Sequence, residues 1–294
     1  MSSIQALVPT HKTIDLTPDK PYPRKPSAAI RKVPLSVAIG MICDHGIILA
    51  SDSKFRTNGN VQYGQKIYPL QARQWMRVVV AGTGVVGFVK SAAQKIEAAL
   101  PVKPCSLSAV SAIIEATNKN FFEQFVIANR SSSMPFYGVL IGIAHNDGYA
   151  LLHTTENSTA QVDSIETEGT GGVVAEPYRS LWRKDIPEFE AELAAIFMVE
   201  YAKLYDSDNC GGDTKVFTLL QPDVLLALQG VYIQIAADYF KDFTRLGLDL
   251  LLPIDFLEGE TEYYRSGIDR IVRQSSEARK NLVRMRLGCC TVVP

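Results

Sequence analysis

Gly82, Gly84 and Gly87 stand at G-x-G-x-x-G spacing in the stretch RVVVAGTGVVG, directly after a run of valines. Alone, that spacing is a dinucleotide-binding turn, because glycines let a strand-to-helix turn approach a pyrophosphate. Such a turn also needs a β-α-β crossover and an acid about 20 residues past the glycines. Here the helical segment 85–100 ends at Pro101 and Pro104, and a second helical segment follows. No crossover can be drawn, so no cofactor is expected. The five cysteines, Cys43, Cys105, Cys210, Cys289 and Cys290, are odd in number and scattered. They give neither a metal-ligand spacing nor a disulfide framework, so no metal is expected and the thiols read as reduced, as in a cytoplasmic protein. The adjacent pair Cys289-Cys290 offers thiols to a lipid or a metal. His45, His145 and His153 have no Ser or Cys spaced for a triad and read as surface residues.

The chain of 294 residues is long enough for one large domain or two small ones. With 47% hydrophobic and 21% charged residues it has an ordinary globular composition. A net charge of -1 gives no general attraction to nucleic acid or to an anionic membrane. No apolar run reaches the roughly 18 residues that span a bilayer. The nearest, Val224 to Phe240, is broken by Gln229, Gln234 and Asp238. Residues 1–34 carry six Lys/Arg against two Asp, and six of the fifteen prolines. They lack the continuous apolar core of a secretory signal and read as a mobile leader, either a disordered tail or a propeptide.

The elements that follow the leader fall in blocks. LSVAIGMICDHGIILASDSK predicts two strands joined by a tight turn at Asp44-His45-Gly46. KIYPL and MRVVVAG predict a second pair. Two helices come next, 85–100 and a segment from Ser106 or Ser108 to about Ala128, each with apolar residues at helical spacing. Strands return at 136–145 and 149–154 around an Asn-Asp-Gly turn, then at 160–167. Gly169-Thr170-Gly171-Gly172 leads into a helix near 175–183, and 188–205 is a longer helix. The loop 206–212 and a strand at 214–220 follow. Val224–Phe243 predicts another helix, Leu246–Leu257 is apolar and broken by Pro253, and Glu260–Met285 is charged with apolar residues interspersed.

Two strands around Gly46, then Asp52, then the lysine of KIY, then a strand ending in AGTG before a helix pair: this order resembles the proteasome β-subunit family, and more broadly the N-terminal nucleophile hydrolases. The resemblance covers about residues 35–220 and is strongest over 35–100. It implies an α+β fold, a four-layer αββα sandwich, spanning 36–220, with 1–35 as leader or propeptide and 221–294 as a mostly helical C-terminal extension packed on the domain or on a neighbour. It implies a homo-oligomer, ring-like, acting on a peptide or small amide substrate.

The resemblance also assigns roles. In active members a threonine freed at the N-terminus by self-cleavage attacks an amide carbonyl, with its own α-amine as base. Counting back from the Asp-x-Gly turn, the matching position is Ser36, which supplies the same hydroxyl. The motif aspartate matches Asp52, the basic residue two positions on matches Lys54, and the active-site lysine matches Lys66. The oxyanion-hole N–H matches Gly82, so the opening glycines would serve an oxyanion rather than a pyrophosphate. The second half departs from the family: Thr170 takes a first hydroxyl slot, and in Ser207-Asp208-Asn209-Cys210-Gly211-Gly212 the serine slot holds Cys210 and Asp208 flanks the aspartate slot. Read without the resemblance, Ser36 is a polar residue at a strand start, Lys66 a solvated strand lysine and Cys210 a small buried residue. Active members usually carry glycine before the nucleophile, whereas this chain has Leu35 after Pro34, which resists the tight backbone that self-cleavage favours. The sequence thus leads to amide hydrolysis through Ser36, with an unprocessed structural or binding subunit as the alternative and a small-molecule amidase or acyltransferase as a third reading.

Overall fold

Asp44 and His45 turn the chain between β1 (Ala38–Cys43) and β2 (Gly46–Ser51), which pair antiparallel from Cys43↔Gly46 to Ala38↔Ser51. The computed structural model describes residues 36–57, 60–128, 137–155, 157–172, 182–251, 273, 276–286 and 288–293. The chain divides into Met1–Lys32 and Val33–Pro294, and all described residues belong to the second unit.

A short hairpin follows, β3 (Lys54–Thr57) with β4 (Asn60–Tyr63), which the sequence reading had not separated. Next come β5 (Ile67–Pro69), β6 (Met76–Gly84), α1 (Val86–Ala99) and α2 (Leu107–Phe121). Ser106 caps α2, its hydroxyl accepting the Ala109 N–H at 3.3 Å, and the helix ends in a π-helical turn over Phe122–Val126. Then β7 (Tyr137–His145) and β8 (Gly148–Thr155) form a hairpin, followed by β9 (Ser158–Val162) and β10 (Ile165–Glu168). After α3 (Glu188–Tyr205) come β11 (Lys215–Gln221), β12 (Val224–Leu228), α4 (Gly230–Leu251), a helix α5 over 276–286 and β13 (Cys290–Val292).

Besides the β3-β4 ribbon, the described strands build two antiparallel sheets, ordered β10-β1-β2-β11-β12-β13 and β5-β6-β7-β8-β9. Strand side chains alternate between faces, and here both faces are buried, which is why β1, β2 and β6 read as continuous apolar runs. Ile39, Met41, Ile48 and Ala50 face α3 and α4 with Ala195, Ile196, Val199, Tyr232 and Ala236. Val78 and Val80 face α1 and α2 with Val89, Ile96, Val110 and Ile114. Their strand neighbours Ile47, Leu49, Val79 and Ala81 meet between the sheets, with Leu140 and Leu151.

Three predictions are corrected. The single strand at 160–167 is two, β9 and β10, because the bend at Asp163-Ser164 carries the chain from one sheet to the other. Val224–Leu228 is a strand paired to β11, not the first turns of a helix; a short apolar run has no period that separates the two. His145 is buried at 6% exposure, its two ring nitrogens on the Cys105 carbonyl and the Asp147 N–H, rather than on the surface. The helix expected near 175–183 lies outside the described residues except at its end.

Candidate active site

The β1–β2 hairpin sets the first distance. Ser36 lies two residues before β1 and Asp52 one residue after β2, and the pairing Ala38↔Ser51 brings these ends together across 16 residues of sequence. The Ser36 hydroxyl donates to Asp52 Oδ1 at 2.9 Å. Lys66, the residue before β5, donates from Nζ to the same Oδ1 at 2.6 Å, and also to the Ser36 Oγ and the Lys54 carbonyl. All three are buried, with Ser36 and Asp52 1% exposed and Lys66 4%. The sequence-predicted core of the site is therefore one contiguous cluster.

A buried ion pair is sustained only when its remaining hydrogen-bonding capacity is used. Asp52 Oδ1 also accepts the Val37 N–H at 3.1 Å, and Oδ2 accepts the N–H groups of Lys54 at 3.2 Å and Gly211 at 3.0 Å. Lys66 is held below its ordinary value, first by burial, while the Asp52 charge pulls it back up. Those opposing effects leave an amine closer to neutrality than a surface lysine, and so a better proton acceptor for a hydroxyl in contact with it.

The glycine-rich turn after β10 fixes the backbone of Ser36. Gly171 N–H donates to the Ser36 carbonyl at 3.1 Å, and Thr170 Oγ1 reaches it at 3.5 Å. Gly169 has φ +95°, and a Cβ there would stand 2.2 Å from the Ser36 carbonyl oxygen, so only glycine fits. Thr170 is thus placed at the site, on the backbone of Ser36 and against the Cys210 thiol. Cys210 is 1% exposed, and burial with the nearby Asp52 and Asp206 charges pushes its thiol up to about 12. It is a neutral packing residue at ordinary pH rather than a nucleophile.

Two expected positions are placed differently. Asp208 is exposed on the loop, and it is the Gly211 N–H that reaches Asp52. Gly82 N–H donates to the Lys66 carbonyl at 3.0 Å, so the group assigned to an oxyanion is engaged with the β5 end in this state. The glycine itself is explained by packing, because a Cβ would stand 2.5 Å from Val89 Cγ1 of α1. The fold also disposes of the dinucleotide pattern: β6 is followed by two helices and then by β7 antiparallel to it. Sequence reasoning matched Lys54 only as a basic residue and missed what its main chain does, and it missed Ser53 altogether. Lys54 acts through its main chain on Asp52 and Lys66, and its Nζ holds the Ser207 carbonyl at 2.6 Å. Ser53 accepts the Asp213 N–H at 2.8 Å. The main-chain roles of Lys54 carry no residue-type signal, and no spacing announces the side-chain contacts, whose partners lie 153 and 160 residues away. Among the described residues no group of His, Cys, Asp or Glu is arranged to hold a metal.

No family model and no curated protein matches this sequence. Solved structures do. Anbu (ancestral beta-subunit) from Yersinia bercovieri superposes with TM-score 0.60 at 15% identity, covering 75% of this chain and 100% of that one. Anbu from Hyphomicrobium sp. strain MC1 gives TM-score 0.60 at 11% identity, again covering 75% and 100%. The Anbu complex of Pseudomonas aeruginosa, solved as a helical assembly, gives 0.59 at 13%, covering 75% and 98%. The fold is that of the Anbu proteins. The likeness extends to a proteasome-like subunit fold, and at such identities it speaks for the fold alone. Among the described residues no helix is long and apolar enough to cross a membrane.

Proposed function

We propose that this chain is a proteasome-like N-terminal nucleophile hydrolase, a four-layer αββα sandwich that cleaves amide bonds of a peptide through Ser36 after residues 1–35 are removed. The observation that carries the reading is the buried contact of the Ser36 hydroxyl with Lys66 and Asp52. Removal of the leader would give Ser36 a free α-amine, whose ordinary pKa of roughly 7.7–8 suits a general base near neutral pH. Lys66 would hold the hydroxyl and depress the α-amine by like-charge repulsion, with Asp52 fixing Lys66. Thr170 and Gly171 would hold the Ser36 main chain, and the Gly82 N–H would serve the oxyanion once its bond to Lys66 opens.

A second reading is favoured by three observations: Ser36 is 1% exposed, Gly82 N–H is already engaged, and Leu35 follows Pro34. On that reading the chain keeps its leader and is a structural or binding subunit. Intact-mass measurement of purified protein separates the two, since the first predicts a chain beginning at Ser36 and the same leader retained in Ser36→Ala. A panel of fluorogenic peptides beside small amides then distinguishes a peptidase from an amidase. A chain of unchanged mass, inert on both panels, leaves the subunit reading.

A further inference from the structure

Behind the cluster lies a second charged group. Lys203, on the last turn of α3, donates from Nζ to Glu200 Oε1 at 2.7 Å and to Thr214 Oγ1 at 2.5 Å, and its side chain is 15% exposed. Thr214, itself 5% exposed, donates to Glu200 Oε1 at 2.6 Å. This closed triangle ties the end of α3 to the residue that opens β11. Between them runs the 206–213 loop, which delivers the Gly211 N–H to Asp52 Oδ2 and the Gly211 carbonyl to the N–H groups of Ser53 and Lys54.

We propose that Lys203 is a positioning residue for Asp52 and Lys66: clamped by Glu200 and Thr214, it holds the 206–213 loop against Asp52 and presents a fixed positive charge to Lys66. The inference deepens the proposed function, since it rests on Lys66 serving Ser36. The groups that act on Lys66 come from every side of the site: Ser36 before β1, Asp52 after β2 and the Lys54 carbonyl in β3 by direct contact, and Cys210 in the loop and Lys203 on α3 through charge alone. Asp52 favours the charged form of Lys66, and Lys203 opposes it in the same direction as burial. Cys210 is neutral at ordinary pH and acts on that balance only where its thiol ionises, when it too favours the charged form of Lys66. Glu200 offsets part of the Lys203 charge, which is why the triangle's geometry matters and not merely its presence.

The test reads Lys66 directly and needs no substrate. Full-length protein carrying [ε-13C]lysine is titrated by NMR, with the Lys66 signal identified by its loss in Lys66→Met. Lys203→Met moves the Lys66 midpoint to higher pH, because a like charge has gone. Lys203→Gln keeps a donor for Thr214, guards against a folding defect and shifts the midpoint the same way. Lys203→Arg keeps charge and donor and restores the wild-type midpoint. An unmoved midpoint in Lys203→Met and Lys203→Gln, or an equal shift in Lys203→Arg, overturns the proposal. In parallel, Ser36 phosphonylation by a fluorophosphonate, in which the hydroxyl displaces fluoride from phosphorus, is followed against pH and shifts in step. A wild-type protein that is never phosphonylated defeats the hydrolase reading alone, because the titration still decides Lys203.

Discussion

Lys66 has three N–H groups, and each is committed: to Asp52, to the Ser36 hydroxyl and to the Lys54 carbonyl. In that state it orients the hydroxyl but cannot take its proton, so on the hydrolase reading turnover would depend on how readily Lys66 or a freed α-amine became neutral. Lys66→Ala is expected to reduce hydrolysis by about 10²–10⁴-fold, the usual scale for losing a positioned proton-transfer group. Unchanged turnover of the best substrate would mean that Lys66 only packs. A second consequence concerns stability. The folded value of Lys66 lies below its ordinary 10.5, so between the two values the unfolded chain binds more protons. Stability must then rise with pH across that window, and the Lys66 contribution is complete above 10.5 and lost as pH falls through the folded value. Urea denaturation of wild type and Lys66→Met, from about pH 7 to about pH 10.5, should show the wild type gaining on the variant as pH rises. A constant difference would refute the lowered value.

At the scale of elements, the C-terminal helix α5 is fastened by one buried pair. Glu192 of α3 is 0% exposed and accepts Arg286 Nε at 2.7 Å, Arg286 Nη2 at 3.0 Å and the Thr218 hydroxyl at 2.7 Å. Arg286→Met leaves that carboxylate buried without its cation and should cost about 3–5 kcal/mol in urea denaturation. Arg286→Met with Glu192→Met together should recover most of the loss; a double variant as weak as the single one would show that packing of α5, not the pair, is at stake. Arg286 and Glu192 are 94 residues apart, and no spacing in the sequence announces them. By contrast the β1–β2 hairpin, α1, α2 and α3 were legible, because a turn signal or a 3.6-residue period marks each within its own segment. The split of β9 from β10 and the pairing of β12 and β13 into the first sheet were not, since they are decided by which sheet covers an apolar run. The same division holds at the site. Ser36, Asp52 and Lys66 were picked out by a family resemblance that order along the chain carries, whereas Gly211 in place of Asp208 depends on how a loop folds.

For the whole molecule, a net charge of -1 leaves little long-range repulsion between copies. Large apolar side chains remain exposed: Tyr63 at 63%, Leu204 at 65%, Tyr205 at 60% and Val231 at 61%. Single exposed apolar residues are ordinary, but Leu204 and Tyr205 adjoin at the end of α3, where the Tyr205 ring also packs at a tilt against Tyr201. Light scattering is therefore expected to give a mass above the 32.4 kDa of one chain at roughly tens of micromolar, where a weak interface already populates a complex. The mass should fall on dilution if copies exchange, and hold if the interfaces are large. A mass of one chain across the whole concentration range would count decisively against self-association. It would also confine the subunit reading to a complex with a different chain, since a structural subunit that meets no second copy must find its partner there.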